Sequence, residues 1–571
     1  MSKYNNGCVK GVLRAQGRGF VNEAGEPVVL AGYAIANWQN PEGFMVGQPP
    51  RPLEWVFPKD DRQNNQRFDR RRTISQVVQE LCGSEYLSTF WDRWEEAHTN
   101  EEDIKAMAED GWNCVRVVLD ANALLYEEPG IQFNEKAFTR LDHLFDWCEK
   151  YKIYVILDMH ASVGGINGCC GDALFNHYPS LLMDEESKER QILLWEELTR
   201  RYHERWILAG YDLANEPVST PPAYFAIPLL EQYYIECIER MRKIDGGKHI
   251  FFLEGPAFAR SNEIFGHDYD PGYHNWAINV HIYGADCSLK DLRPYILKGL
   301  ELDVPIWISE CGSHPIANAV FFDMCGHLGI GYSIWGWKTA AREGRTNNLG
   351  QVLPKEWDKI AAFISGGPRP SYENSQRIFD EYLESLWYQN CIRNKEYPRL
   401  SQKRPNINVP GVGYDMWEPD GRRYYGNWEW GNYLEFRAED HTKLVWATQK
   451  RHPFPSFDFD CGPKPEVRYD PLFDLALELS AEEYAYYTVH EVEKLCQVSV
   501  EGTALEEAKI EVYCNGDLVG EVTLPKTTMS ITEEEHLPLS ESVAIPAGEE
   551  AVVKLVVKQG TVQIKNVKFA Y

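Results

Sequence analysis

Two glutamates stand where apolar, strand-like runs end: Glu216, in the run Tyr211-Asp212-Leu213-Ala214-Asn215-Glu216-Pro217, and Glu310, in Pro305-Ile306-Trp307-Ile308-Ser309-Glu310. A carboxylate just past a buried strand is costly unless water solvates it or a reaction uses it. Two such groups brought together could work on a glycosidic bond. One would protonate the leaving oxygen while the other attacks the anomeric carbon from about 5–5.5 Å away. Either glutamate alone also fits a solvated loop residue. The residues around them decide between the readings.

The chain that must position them has 571 residues, enough for two or three domains. With 44% hydrophobic and 13% aromatic residues it reads as globular rather than disordered. Its formal net charge of −28 argues against a nucleic-acid partner, which would need a basic stripe. Arg70-Arg71-Arg72 is a local exception and reads as a solvated loop. The N-terminal stretch MSKYNNGCVKGVL lacks an apolar signal core, and no run approaches the ~20 apolar residues of a membrane span, so no membrane partner is expected. Fourteen scattered cysteines do not form a dense disulfide pattern, and a reducing, cytoplasmic setting is expected.

Eight apolar, β-branched runs alternate with amphipathic helical stretches between about residues 10 and 390. Strands are expected at Val28–Tyr33, Cys114–Leu119, Tyr154–Asp158, Tyr211–Ala214, Ile250–Glu254, Ala277–His281, Pro305–Ser309 and Gly331–Trp335. Helices are expected at Glu101–Glu109, whose Glu102 and Asp103 suit the positive N-terminal end, and at Gln191–Tyr202, where Ile192, Trp195, Leu198 and Tyr202 recur at helical spacing. Buried parallel strands with helices between them imply an α/β fold, and eight units close into a (β/α)₈ TIM barrel. An open doubly wound sheet would show a Gly-rich turn after its first strand, and Ala34–Gly43 lacks one. Residues 45–95 read as an insertion shaping a cleft entrance, and a helix at Tyr372–Tyr388 is expected to close the barrel.

In such a barrel every strand's C-terminal end faces one cavity. Trp38 and Glu42 follow the first strand, Arg116 lies on the second, and His160 ends the third. Asn215 and Glu216 follow the fourth, His281 and Tyr283 the sixth, Glu310 the seventh, and Trp335 the eighth. This set suits a carbohydrate. Arg116 can hold Glu310 ionised, and His281 can tune the proton of Glu216. Asn215 can meet a sugar 2-hydroxyl, Tyr283 can bond the nucleophile, and Trp335 can floor a sugar ring.

The motifs GWNCVRVV, ILDMHASVGGING, YDLANEP, NVHIYG, PIWISECG and GYSIWGWKT, in that order, resemble glycoside hydrolase family 5 over about residues 10–390. The resemblance implies Glu216 as acid/base and Glu310 as nucleophile of a retaining β-glycosidase, with no metal or other cofactor. It also implies that Arg116, His160, Asn167, Asn215, His281, Tyr283 and Trp335 contact substrate. Within the family the chain is most similar to the exo-acting β-1,3-glucanase branch. Asn37-Trp38 with Glu42 matches that branch's first segment, where the glutamate binds the non-reducing-end sugar. The run from His160 through Asn167 to Gly168 matches its second loop, and Trp335-Gly336-Trp337-Lys338-Thr339 its last. Val163 stands where that branch carries proline, and Val118-Leu119-Asp120 replaces a more polar run. The expected substrate is an oligosaccharide or glycoside ending in β-linked glucose or mannose. An endo-acting β-glucanase or mannanase and a catalytically silent glycan receptor are the alternatives.

Residues 392–410, interrupted by Pro398, Pro405 and Pro410, read as a linker, dividing a catalytic segment 1–391 from a β-sandwich 411–571. In the latter, Ile510, Val512 and Cys514 alternate with polar residues before an Asn515-Gly516 turn, and Val552–Val557, Val562 with Ile564, and Val567 with Phe569 read as further strands. This region resembles carbohydrate-binding modules of families 6 and 35. Trp417, Tyr425, Trp428, Trp430 and Trp446 could stack on sugars or pack inside the sandwich. Cys169-Cys170, near His160 and His177, lack the two-residue spacing of zinc knuckles, and no metal is expected.

Overall fold

Residues 31–35 begin a ring of eight parallel strands. A computed structural model of the protein describes residues 6–47, 68–167, 178–219, 221–283, 289–312, 321–322, 325–326, 328–341, 348–394, 396–415, 443–446, 475–527 and 537–571. The barrel strands are β1 (Ala31–Ile35), β2 (Cys114–Asp120), β3 (Tyr154–Ala161), β4 (Leu208–Asp212), β5 (Ile250–Glu254), β6 (Trp276–Tyr283), β7 (Ile306–Gly312) and β8 (Gly331–Ile334). They pair in chain order, and β8 closes on β1 through Tyr332 opposite Ala31 and Ile334 opposite Tyr33. Every residue of β1 to β5 is buried, as strands covered on both faces must be. Gly32 lets β1 lie against β2, because a Cβ there would sit 1.8 Å from the Cys114 carbonyl oxygen. All eight expected strands are present. The first and fourth are displaced, β1 starting three residues later and β4 three residues earlier than expected.

A small antiparallel sheet, Arg14–Gln16 with Gly19–Val21 and Pro27–Val28, covers the strands' N-terminal ends. Phe20 meets Phe252 with ring centroids 5.9 Å apart, and the Ala15 amide donates to Asn275 just ahead of β6. Short strands with few alternating positions gave no periodic signal in the sequence.

The expected insertion is largely helical beyond residue 70, with helices at Arg71–Cys82 and Ser84–His98. They share an apolar cluster with Trp357–Ile364 and Tyr372–Ser385, in which Phe90, Trp94, Trp357, Phe379 and Tyr382 interlock. The helix starting at Tyr372 therefore does not close the ring; the β8–β1 pairing does, and this helix packs on the inserted pair. It also ends at Ser385, short of Tyr388. The arginine triplet is a second correction. Arg70 is buried against Asp69, Arg71 pairs with buried Glu95 and lies over Trp91, and Arg72 pairs with Glu127. Local acidic partners draw the triplet into the helix start rather than leaving it in solvent.

The C-terminal region is all β, built on a four-stranded antiparallel sheet and a larger antiparallel sheet. Ala508–Cys514 alternates buried and half-buried residues, and Asn515 and Gly516 both take positive φ (51° and 93°) in the hairpin turn to Asp517–Leu524. The phase slip between Ile564 and Val567 is a bulge in Thr561–Ala570, where Gly502 and Glu501 face Ile564 and Asn566. The segment 392–410 holds the short strand Ile392–Arg393, a helix at Glu396–Ser401 and the strand Ile407–Pro410, which pairs with Thr561–Ala570. Trp417, Tyr425, Trp428, Trp430, Cys169, Cys170 and His177 lie outside the described residues, as does the side chain of Trp446.

Candidate active site

Strand ends bring Arg116, fully buried on β2, to the centre of a carboxylate cluster. Its Nη1 donates to Glu310 Oε1 at 2.6 Å and its Nε to Asp212 Oδ2 at 2.9 Å. Its Nη2 donates to Asn215 Oδ1 at 2.9 Å and to Glu254 Oε1 at 3.0 Å, and it lies 3.1 Å from Asp158 Oδ1. Four carboxyl groups surround one guanidinium in a buried site, and burial pushes two of them, Asp158 and Asp212, above the ordinary carboxylate value. Such a cluster persists only where further donors share the load.

His281 is that further donor. Its Nδ1 lies 2.8 Å from Glu216 Oε1 and 3.4 Å from Glu310 Oε2, and its Nε2 lies 3.0 Å from Glu254 Oε1. Burial alone would lower the imidazole's pKa, but the Glu254 and Glu310 charges and the hydrogen bonds raise it well above its ordinary value. The Tyr283 hydroxyl donates to Glu310 Oε2 at 2.6 Å. His160 lies 3.0 Å from Asp158 through Nδ1, and Asn215, oriented by Arg116, presents its NH₂ to His160 Nε2 at 3.3 Å. The Trp335 ring stacks on His160 with centroids 5.0 Å apart and 11° between planes, and its indole N–H donates to Glu42 Oε2 at 3.1 Å.

The two glutamates differ electrostatically. Burial, with the Glu310 and Glu254 charges, raises the pKa of Glu216 despite its bond to His281. Burial pushes Glu310 the same way, but the His281 and Arg116 charges override it and hold Glu310 below the ordinary carboxylate value. One group is driven toward the acid and the other toward the anion, although a carboxylate oxygen of each lies within 4.8 Å of the other and of a His281 nitrogen. The three donors could converge on a cation. Arg116 on Glu310 already supplies positive charge there, and both Glu310 oxygens hold hydrogen bonds.

Glu216 itself adopts φ +42°, a conformation costly for a side-chain-bearing residue. Its backbone N–H donates to Glu254 Oε2 at 2.6 Å, which fixes that turn. Glu254, the last residue of β5, is completely buried, yet its pKa falls to about 2: burial opposes ionisation, and His281 and Arg116 outweigh it.

Of the residues named from sequence, Glu42, Arg116, His160, Asn215, Glu216, His281, Tyr283, Glu310 and Trp335 come together. Asn167 is buried beside Ile166, whose carbonyl accepts from the Val218 N–H in the turn after Glu216. Trp38 stands apart. Its indole donates to the Glu95 carbonyl, and its ring lines a separate cavity of about 230 Å³ with Thr99, Trp147 and Trp387. The cluster also holds Glu254, Asp158 and Asp212, which are not among the residues named from sequence. Glu254 carries the signal that marks Glu216 and Glu310, a carboxylate ending an apolar strand. Asp158 sits inside β3, and Asp212 ends β4 but falls inside the run expected as a strand at Tyr211–Ala214, so only register shows that they face the ring's interior.

The family model described as cellulase (glycosyl hydrolase family 5) matches residues 75–341. A β-xylosidase of Phanerodontia chrysosporium is 28% identical over 284 residues, 50% of this chain and 54% of that protein. A probable glucan endo-1,6-β-glucosidase B of Aspergillus flavus is 24% identical over 304 residues, 47% of this chain and 75% of that protein. A probable glucan 1,3-β-glucosidase A of Emericella nidulans is 26% identical over 266 residues, 43% of this chain and 60% of that protein. The chain thus spans about half the length of the β-xylosidase it matches. No helix among the described residues is long and apolar enough to cross a membrane. The matching region runs through seven of the eight barrel strands, β2 to β8, so the barrel carries the part of this chain that is similar to glycosyl hydrolase family 5.

Proposed function

We propose that the chain is a retaining exo-β-glycosidase that removes a terminal β-linked sugar, glucose or mannose, from an oligosaccharide or glycoside. The observation that carries this is the pairing of Glu216, whose carboxyl is pushed toward the acid by burial and neighbouring anions, with Glu310, which His281 and Arg116 hold toward the anion, oxygens within 4.8 Å of one another across one imidazole. An approach this close suits the ~5–5.5 Å separation of the carboxyl groups in retaining enzymes better than the ~6.5–9.5 Å of inverting ones.

Glu310 attacks the anomeric carbon while Glu216 gives its proton to the glycosidic oxygen. The bond to the aglycone breaks, the alcohol leaves and a glycosyl ester of Glu310 forms. Glu216, now a carboxylate, takes a proton from water as the water oxygen attacks the same carbon. The ester bond breaks, Glu310 returns as carboxylate, and the sugar leaves with its original configuration. Tyr283 and Arg116 hold Glu310 in line, Asn215 meets the 2-hydroxyl, and Trp335 with Glu42 lines the terminal-sugar side. The barrel segment 1–391 would carry this chemistry, with 392–410 leading into the β-sandwich 411–571.

The test is hydrolysis of aryl β-glucoside, β-mannoside and β-xyloside by wild type and Glu310→Gln, with proton NMR of the first-formed anomer. Turnover that releases the β-anomer first and vanishes in the variant supports the reading. An α-anomer first, or no turnover of any glycoside by wild type, defeats it. An endo-acting glucanase is the second reading, favoured by the name of the Aspergillus flavus relative. Chromatographic sizing separates them: only monosaccharide should leave a β-glucan oligosaccharide.

A further inference from the structure

We propose that Glu254 is a positioning residue that sets both glutamates at once, gripping Glu216 through its backbone and His281, and Glu310 through Arg116 and Ser309. The proposal rests on the roles just given to Glu216 and Glu310.

One carboxylate from β5 serves two networks. Its Oε2 accepts the Glu216 N–H at 2.6 Å, holding the left-handed turn that aims the Glu216 side chain. Its Oε1 lies 3.0 Å from His281 Nε2, and the other face of that imidazole meets Glu216 Oε1. The same Oε1 accepts from Arg116 Nη2 at 3.0 Å and from the Ser309 hydroxyl at 3.3 Å, the first bonded to Glu310 and the second adjacent to it in sequence. A carboxylate behind a histidine fixes which nitrogens carry protons and how the ring is turned, and here the line runs Glu254–His281–Glu216.

Position matters as much as charge. Glutamine has the same shape but only one accepting oxygen. In either orientation its NH₂ would meet a donor, the Glu216 N–H on one side or His281 and Arg116 on the other. The other ionisable groups around Glu254 and His281 are Asp158 from β3, Asp212 from β4 and Glu310 with Tyr283. Tyr234 of the helix Ile227–Asp245 donates to the Glu254 backbone carbonyl and leaves the carboxylate free. Arg116 and His281 both meet the Glu254 carboxylate, while His160, on Asp158, lies 3.9 Å from Glu310 and does not reach Glu254 among the contacts of the site.

The experiment uses the whole chain as wild type, Glu254→Gln, Glu254→Asp and Glu310→Gln. Nitrogen-15 NMR of the His281 ring, identified by its loss in His281→Gln, reads its protonation without needing turnover. Both ring nitrogens should be protonated in wild type at pH 7.5, and the ring in Glu254→Gln should titrate close to the ordinary histidine range. On an aryl β-glycoside, kcat of Glu254→Gln should fall about 100-fold with KM nearly unchanged, as expected when reacting groups are displaced rather than binding lost. The pH profile should change with it, and Glu254→Asp should keep His281 protonated and recover part of kcat. Wild-type kcat and pH profile in Glu254→Gln, or a neutral His281 in wild type at pH 7.5, would overturn the proposal. If Glu254→Gln does not fold, the wild-type NMR and Glu254→Asp decide. Retained activity in Glu310→Gln would instead defeat the function assigned above, leaving the His281 measurement to judge Glu254 on its own.

Discussion

Arg116 Nη1 donates to Glu310 Oε1 at 2.6 Å, from a side chain that is fully buried to one that is almost so. The guanidinium also reaches Asp212, Asn215 and Glu254, so it is a scaffold as well as a counter-charge. Lysine cannot reproduce that fork. Arg116→Lys should lower kcat/KM by roughly 10- to 100-fold, the size of one or two charge-assisted hydrogen bonds. The acid side of its kcat/KM profile should move to higher pH, because Glu310 loses a group that keeps it ionised. An unmoved acid limb would show that Arg116 acts only as scaffold.

Glu216 and Glu310 should fail in different ways. Glu310→Gln should abolish turnover of every glycoside, since no ester can form. Glu216→Gln should cost about 10²- to 10⁴-fold on alkyl glycosides, whose leaving oxygen needs a proton. On a dinitrophenyl glycoside, which leaves unaided, the first step should be nearly spared. Equal losses on both leaving groups would remove Glu216 from the acid role.

The dependence of kcat/KM on pH should be bell-shaped. Activity rises on the acid side as Glu310 ionises, at a pH below the ordinary carboxylate value, because His281 and Arg116 outweigh its burial. It falls on the alkaline side as Glu216 loses its proton, above the ordinary value, because burial and neighbouring anions favour the acid. A plateau extending undiminished to pH 10 would contradict the assignment of Glu216.

Glu42 gives a stability prediction with a definite sign. Burial, with the Glu310 and Glu216 charges, raises its pKa from 4.5 to about 7. A carboxyl with a raised folded-state pKa contributes fully below 4.5, and that contribution is lost as pH climbs toward 7. Glu42→Gln keeps an acceptor for Trp335 and removes the charge. It should match wild type at pH 4 and be more stable at pH 8, by up to roughly 3 kcal/mol at 1.4 kcal/mol per pKa unit. Thermal or urea unfolding at the two pH values measures it, and an equal difference at both would place the effect elsewhere.

Much of the barrel is legible in the chain because buried parallel strands must be apolar along their whole length. Ile250–Glu254 is placed to the residue, yet its terminal glutamate draws no notice in a sequence reading that looks for pairs. Asp158 sits mid-strand and Asp212 falls inside the apolar run Tyr211–Ala214, although β4 ends on it, and only their register points them inward. Trp38 misleads for the opposite reason. Its place after β1 suits a sugar contact, but the inserted helix brings the Glu95 carbonyl to its indole. The bulge near residue 565 shows the pattern at its most informative, since two alternating runs out of phase by one residue require an extra residue between them.

The ring order carries a further meaning for assembly. Glu216 follows the fourth strand and Glu310 lies near the end of the seventh, while Arg116 and Glu254 reach them from the second and fifth. A chain divided after the fifth strand would leave Glu216, the proposed acid, on one fragment and Glu310, the proposed nucleophile, on the other. Catalytic competence would then return only when the two pieces docked edge to edge, which makes turnover itself a reporter of ring completion.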